Sequence, residues 1–169
     1  MIGAAGSSFL FGVAAILTSI DGRPAQIDPA KAKATVVIFT STVCPVAADY
    51  YPRISALWTE YGRRPNVSFL VVYPNKTESL ADIRLHAAEM KFPFPVYRDE
   101  GNRLADELGA RVTPTAIIRR AGGEVVFRGP IDDAANPARV KHHYLRDAIR
   151  RTLAGHKGPA VQPAGDPYG

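Results

Sequence analysis

The stretch Val36-Val37-Ile38-Phe39-Thr40-Ser41-Thr42-Val43-Cys44-Pro45 decides how the chain is read. Ala34 to Phe39 is a continuous apolar run of strand length, as expected of a strand buried on both faces. Beyond it, Val46, Tyr50, Ile54, Leu57, Trp58 and Tyr61 recur at helical spacing. Cys44 stands at the junction, so its sulfur is expected at the N-terminus of the following helix. Unpaired backbone N–H groups and the positive end of the helix dipole favour thiolate over thiol at such a place. Pro45 suits the first helical turn, because its missing N–H would be unpaired anyway. A cysteine placed this way can be a nucleophile; the competing reading is a small, inert, buried hydrophobe.

Working outward, Ala15–Ile20 and Arg23–Ile27 flank Asp21-Gly22, a hairpin signal. Residues 1–14 are either a degenerate export signal or a frayed tail, with residues 15–154 as the folded domain. Pro52 should kink or divide the helix after Cys44, and Gly62 ends it. Val67–Tyr73 reads as a second buried strand. Asn75-Lys76-Thr77-Glu78 offers a capping box to the amphipathic run Leu80–Met90. A short strand Val96–Arg98, a short helix Asn102–Leu108 closed by Gly109, strands Ala116–Arg119 and Glu124–Arg128, and a helix Val140–Leu153 follow. From Gly155 to Gly169, Gly and Pro recur without apolar period, so a mobile tail is expected. The order is β-hairpin, β, α, β, α, β, α, β, β, α. It predicts an α/β domain with a central mixed sheet and helices on both faces.

The chain has 169 residues, 46% hydrophobic and 22% charged, an ordinary globular composition. Its net charge of +5 is spread in short pairs such as Arg63-Arg64 and Arg150-Arg151, not in a basic run, so no nucleic-acid partner is expected. One cysteine excludes an internal disulfide and leaves the compartment, cytoplasmic or periplasmic, open. The apolar run Phe9–Ile20 falls short of the about 20 residues a membrane-spanning helix needs.

Thr113-Pro114-Thr115 is the second signal, directly before the strand Ala116–Arg119. Strand–Cys-Pro–helix followed by Thr-Pro-Thr–strand–Gly-Gly–strand–helix resembles the thioredoxin superfamily. Asp99–Gly109 and Gly122-Gly123-Glu124-Val125-Val126-Phe127-Arg128-Gly129 are similar to its redoxin branch, which includes peroxiredoxins (alkyl hydroperoxide reductase and thiol-specific antioxidant proteins). Phe39–Ala47, Val72-Tyr73-Pro74 and Arg128-Gly129-Pro130-Ile131-Asp132-Asp133 resemble a bacterial redoxin-domain group with a single Cys-Pro motif. The resemblance implies a thioredoxin-like fold with an N-terminal hairpin and an inserted strand and helix between cysteine and proline. It also implies that Pro114 is cis and lies beside Cys44.

Two departures bear on mechanism. Dithiol members carry Cys-x-x-Cys, whereas Cys44-Pro45-Val46-Ala47 ends in alanine. Peroxiredoxins carry Pro-x-x-x-Thr/Ser-x-x-Cys and a distant arginine; Ser41 matches the hydroxyl, but Val37 and Thr113 hold the proline and arginine positions, with Arg111 as a possible substitute. The residues singled out are therefore Cys44 as nucleophile, Pro114 as the proline beside it, Ser41 as the matching hydroxyl, and Thr42 and Thr113 as hydroxyl or backbone donors.

Two functions stay open. The first is a thiol-dependent oxidoreductase whose one cysteine attacks a disulfide or peroxide, with an external thiol reductant or redox protein resolving the product. The second is a catalytically silent thioredoxin-fold binding or scaffold protein. No cofactor or metal is expected. His142-His143 are adjacent and do not share a helix face, and Asp132-Asp133 after Gly129-Pro130 read as turn-forming acids.

Overall fold

A computed structural model of the protein describes residues 16–26 and 31–157. The continuous apolar runs become the middle of a seven-stranded mixed sheet, in the order β2-β1-β5-β4-β3-β6-β7. The strands are β1 Ile16–Ser19, β2 Pro24–Gln26, β3 Ala34–Phe39, β4 Val67–Tyr73, β5 Val96–Arg98, β6 Thr115–Arg120 and β7 Val125–Gly129. The helices are α1 Pro45–Leu57, α2 Leu80–Glu89, α3 Arg103–Leu108 and α4 Tyr144–Leu153. β3 pairs in parallel with β4, and β4 with β5, because α1 and α2 carry the chain back across the sheet. β6 runs antiparallel to β3 and β7 antiparallel to β6, as the close β–β pair predicts.

Every residue of β3 is buried, because its side chains alternate between two cores. Val36 and Ile38 join Phe69, Val71 and Tyr73 under α1, α2 and α4, which supply Ile54, Ile83 and Ile149 among others. Val37 and Phe39 join Leu70, Val72 and Ile117 under α3, which supplies Leu104, Ala105 and Leu108. Helices thus cover both faces, three on one and a short one on the other.

Several local expectations need correction. The hairpin does not use a two-residue loop: Gly22 N–H donates to Ser19 O at 2.8 Å and Ser19 N–H to Arg23 O at 2.9 Å. With Gly22 at φ 86°, this is a three-residue loop ending in a left-handed glycine. Pro52 does not divide α1, which runs through it to Leu57 and then widens into a π-helical turn, Trp58–Gly62. A β-carbon at Gly62 would lie 2.0 Å from the Trp58 ring, so only glycine fits there. The capping box of α2 is Ser79 with Asp82, not Asn75 with Glu78. The last helix starts at Tyr144, preceded by a 3-10 turn at Pro137–Arg139. The expectations for residues 1–14 and for the tail beyond Lys157 lie outside the described residues.

Candidate functional site

β3 ends at Phe39, and Cys44 is the N-cap of α1 with φ −90° and ψ 105°. Phe39 pairs with Thr115 across the β3–β6 ladder, which brings the loop before β6 alongside Cys44. The Thr113–Pro114 peptide bond is cis, as expected. Cys44 Sγ donates to the Thr113 carbonyl oxygen at 3.2 Å. The contact differs in two ways from the reading of the sequence. The sulfur takes no cap hydrogen bond from the helix, and Thr113 offers it an acceptor rather than a donor. Cys44 is partly exposed, and its chain neighbour Val43 (75% exposed) and Val112 (54%), the residue before Thr113, are exposed apolar side chains.

The Ser41 hydroxyl and the Thr42 N–H do not turn to the sulfur as the sequence suggested. Both are tied down by Glu78, a side chain only 4% exposed. Glu78 Oε1 accepts from Ser41 Oγ at 3.1 Å and from the Thr42 N–H, while Oε2 is buried with no hydrogen-bond partner. The carboxylate therefore clamps the loop between β3 and Cys44 from below. Beside it, the Tyr51 hydroxyl contacts Thr40 Oγ1 at 3.2 Å and donates to Ser41 O at 3.3 Å. Burial pushes the Tyr51 hydroxyl above its ordinary value, with the charges of Cys44 and Glu78 adding to the rise. Tyr73 Oη meets His86 Nδ1 at 3.0 Å. Burial lowers the His86 imidazole, partly offset by the charge of Glu78.

None of Glu78, Tyr51, Tyr73 or His86 was singled out in the sequence as part of a site. Glu78 was read as the closing acid of a capping box that lies four residues further on, where Asp82 closes it. The signal available was an acid left over once Ser79 and Asp82 were paired. The tyrosines and histidine carried no such signal, since aromatic residues at helical and strand spacing are ordinary core.

Other candidates resolve into structure. Asp132 does not serve a cation site: both its oxygens accept from Arg53 Nη1, at 2.6 and 2.7 Å. Burial pushes the Asp132 carboxyl up, and Arg53 pulls it part of the way back. The same guanidinium lies 4.0 Å from the Tyr50 ring centroid, and burial pushes the Tyr50 hydroxyl up to about 12. Asp133 Oδ1 accepts from the N–H groups of Lys141 and His142. His142 stacks on Tyr144, and His143 is the N-cap of α4. Among the described residues no group of three or more His, Cys, Asp or Glu could hold a metal ion, and no helix is long and apolar enough to cross a membrane.

Solved structures similar to this one share its architecture. A conserved protein from Geobacillus kaustophilus, described as uncharacterized, is 27% identical with a TM-score of 0.74, over 89% of this chain and 82% of its own. A hypothetical protein from Sinorhizobium meliloti is 21% identical with a TM-score of 0.76, over 87% and 84%. A secreted disulfide oxidoreductase from Mycobacterium tuberculosis is 16% identical with a TM-score of 0.59, over 83% and 94%, a likeness of fold. No curated protein matches the sequence. The family model described as AhpC/TSA family matches residues 14–128, which takes in the hairpin, Cys44, the inserted strand and helix, and the Thr113-Pro114 loop. With its thioredoxin-like fold, the chain belongs to the AhpC/TSA family of redoxin proteins.

Proposed function

We propose that the chain is a thiol oxidoreductase that works with one cysteine and borrows its second thiol from outside. Family membership supports a thiol-redox function in general terms and redox partners of the thiol or peroxide class. The observation that carries the single-cysteine reading is the setting of Cys44. It is the chain's one cysteine, partly exposed, at the N-cap of α1 and 3.2 Å from Thr113 O. An inert structural cysteine would be buried in one of the two cores instead.

In the disulfide reaction, Cys44 thiolate attacks one sulfur of the substrate, forming a mixed disulfide and releasing the other sulfur as a thiolate. With a peroxide it takes the distal oxygen, becoming a sulfenic acid while the proximal oxygen leaves as an alcohol or water. An external thiol then condenses with the sulfenic acid to a mixed disulfide and water. A second thiol restores Cys44 and leaves as the disulfide. Pro114 and Thr113 form one wall of the site, and Ser41 and Thr42 act through Glu78 by fixing the loop that presents the sulfur.

Replacement of Cys44 by serine tests this. The wild-type protein should form a trappable sulfenic acid with dilute peroxide and return to thiol with excess small thiol. Cys44→Ser should lose adduct and turnover with its fold intact, because the side chains are similar in size. Peroxidase or disulfide-reductase activity surviving in Cys44→Ser would exclude the mechanism, and a wild-type thiol inert to both oxidants would favour the scaffold reading.

A further inference from the structure

The Tyr73–His86 and Tyr51–Ser41 contacts belong to one buried chain that ends at the backbone of Cys44. His86 Nδ1, on α2, meets Tyr73 Oη, on β4, at 3.0 Å. The Tyr73 and Tyr51 hydroxyls are hydrogen-bonding neighbours in turn. Tyr51 Oη, on α1, donates to Ser41 O at 3.3 Å, and the same carbonyl accepts the Cys44 N–H at 3.4 Å. All three side chains are buried, so water does not compete freely for their polar atoms.

Each tyrosine hydroxyl has one proton to give. An unprotonated Nδ1 takes the proton of Tyr73, and Tyr51 then divides its own among Tyr73 Oη, Thr40 Oγ1 and Ser41 O. A protonated Nδ1 donates to Tyr73 Oη instead. The Tyr73 proton then turns towards Tyr51, and the Tyr51 proton towards Ser41 O. Resting on the function proposed above, we infer that Tyr51, Tyr73 and His86 are positioning residues for Cys44, and that protonation of His86 tightens the Ser41–Cys44 turn through the two hydroxyls. The tightened turn gives the sulfur less freedom to meet a disulfide or peroxide, so acid slows Cys44 beyond its own loss of thiolate. Tyr51 faces the imidazole from α1, Tyr73 from β4 and Phe92 from the segment after α2, while Glu78 and Glu89 are the charges acting on it. Burial disfavours the imidazolium and outweighs the two acids, which favour it, so the change falls below the ordinary value of about 6.5.

Dipyridyl disulfide is the probe. Cys44 thiolate attacks one of its sulfurs, forming a mixed disulfide and releasing the other as pyridine thiolate, whose absorbance gives the rate. The His86 titration is followed separately by NMR of its ring protons. Across the acid range the wild-type rate should fall further than thiolate loss requires, by a step of roughly fivefold centred on the His86 titration, the worth of one neutral hydrogen bond. Tyr73→Phe keeps the ring but cuts the chain, and should remove the step while His86 still titrates. Tyr51→Phe should remove it as well, and so should His86→Gln, which offers Tyr73 an acceptor that takes no proton. A charge acting through space would have the opposite sign, because an imidazolium favours thiolate, and would survive Tyr73→Phe. A wild-type profile without the step, or a step that persists in any folded one of the three variants, overturns the chain whatever Cys44 turns over. A step that behaves as expected in a protein that turns over neither peroxide nor disulfide substrate keeps the chain and overturns the oxidoreductase reading instead.

Discussion

Asp132 and Glu78 are both buried carboxylates, 1% and 4% exposed, yet the protein treats them in opposite ways. Asp132 faces a cation. Arg53 Nη1 meets both its oxygens, and Nη1 and Nη2 also donate to the carbonyls of Ala134, Ala135 and Asp49, while Nε is left without a partner. The group ties α1 to the segment after β7 and lies away from Cys44. Glu78 faces no cation in its hydrogen bonds. One oxygen holds Ser41 and Thr42, and the other is left without a partner under the loop that carries Cys44. A buried charge that faces an opposite charge is the mark of a structural tie. A buried carboxylate with an empty oxygen is tolerated where it can act on its neighbours, and its neighbours here are Ser41 and Thr42, in the loop that leads to the one cysteine.

The largest effect should come from the tie. Asp132→Ala leaves Arg53, 17% exposed, without its carboxylate, and should cost about 3–5 kcal/mol in denaturant unfolding. Cys44 alkylation by iodoacetamide in the folded variant should stay at the wild-type rate. A change in that rate would break the comparison, because both carboxylates would then act on the sulfur. Glu78→Gln should behave in the opposite sense. It keeps an acceptor for the Thr42 N–H and so should cost only about 1 kcal/mol. Turning two charge-assisted hydrogen bonds into neutral ones loosens the loop that presents Cys44, and should make alkylation at neutral pH severalfold faster. An unchanged rate would reduce Glu78 to a second structural tie. The smallest effect concerns His86. Its folded-state imidazole is depressed by burial, so below the ordinary value of about 6.5 the unfolded chain binds the extra proton first. Stability should therefore be fully present above that pH and fall as pH drops through the depressed folded value. His86→Gln should flatten this slope, and an equally steep slope in the variant would assign it to other groups.

Much of the fold was legible because its signals are local. The apolar continuity of Ala34–Phe39 and Val67–Tyr73 announces strands buried on both faces, and both occupy the middle of the sheet. Gly109, at φ 67°, closes α3 as read. Pro52 misled, since the loss of one donor on an exposed helix face does not outweigh the burial of Tyr50, Tyr51, Ile54 and Leu57 on the opposite one. At the site, Cys44 and Thr113-Pro114 were legible as two ends of one motif order. Glu78 was not, because the tetrad that contains it scores as a capping box and burial is invisible to a local pattern. Arg53 and Asp132 were equally hidden, being far apart in sequence and ordinary in composition.

What the sequence by itself determined is therefore the strand–Cys-Pro–helix junction, the proline loop before β6, and the absence of a second cysteine to close a disulfide within the chain. Those follow from residue type, period and count, which act over a few neighbouring positions. Only the tertiary structure decided which acid lies under the cysteine loop and which is bound to an arginine, and that His86 meets Tyr73 while Tyr51 meets Ser41. Charge and hydrogen bonding depend on distance and desolvation, and both are set when β4, α1 and α2 pack, not by the order of residues along the chain.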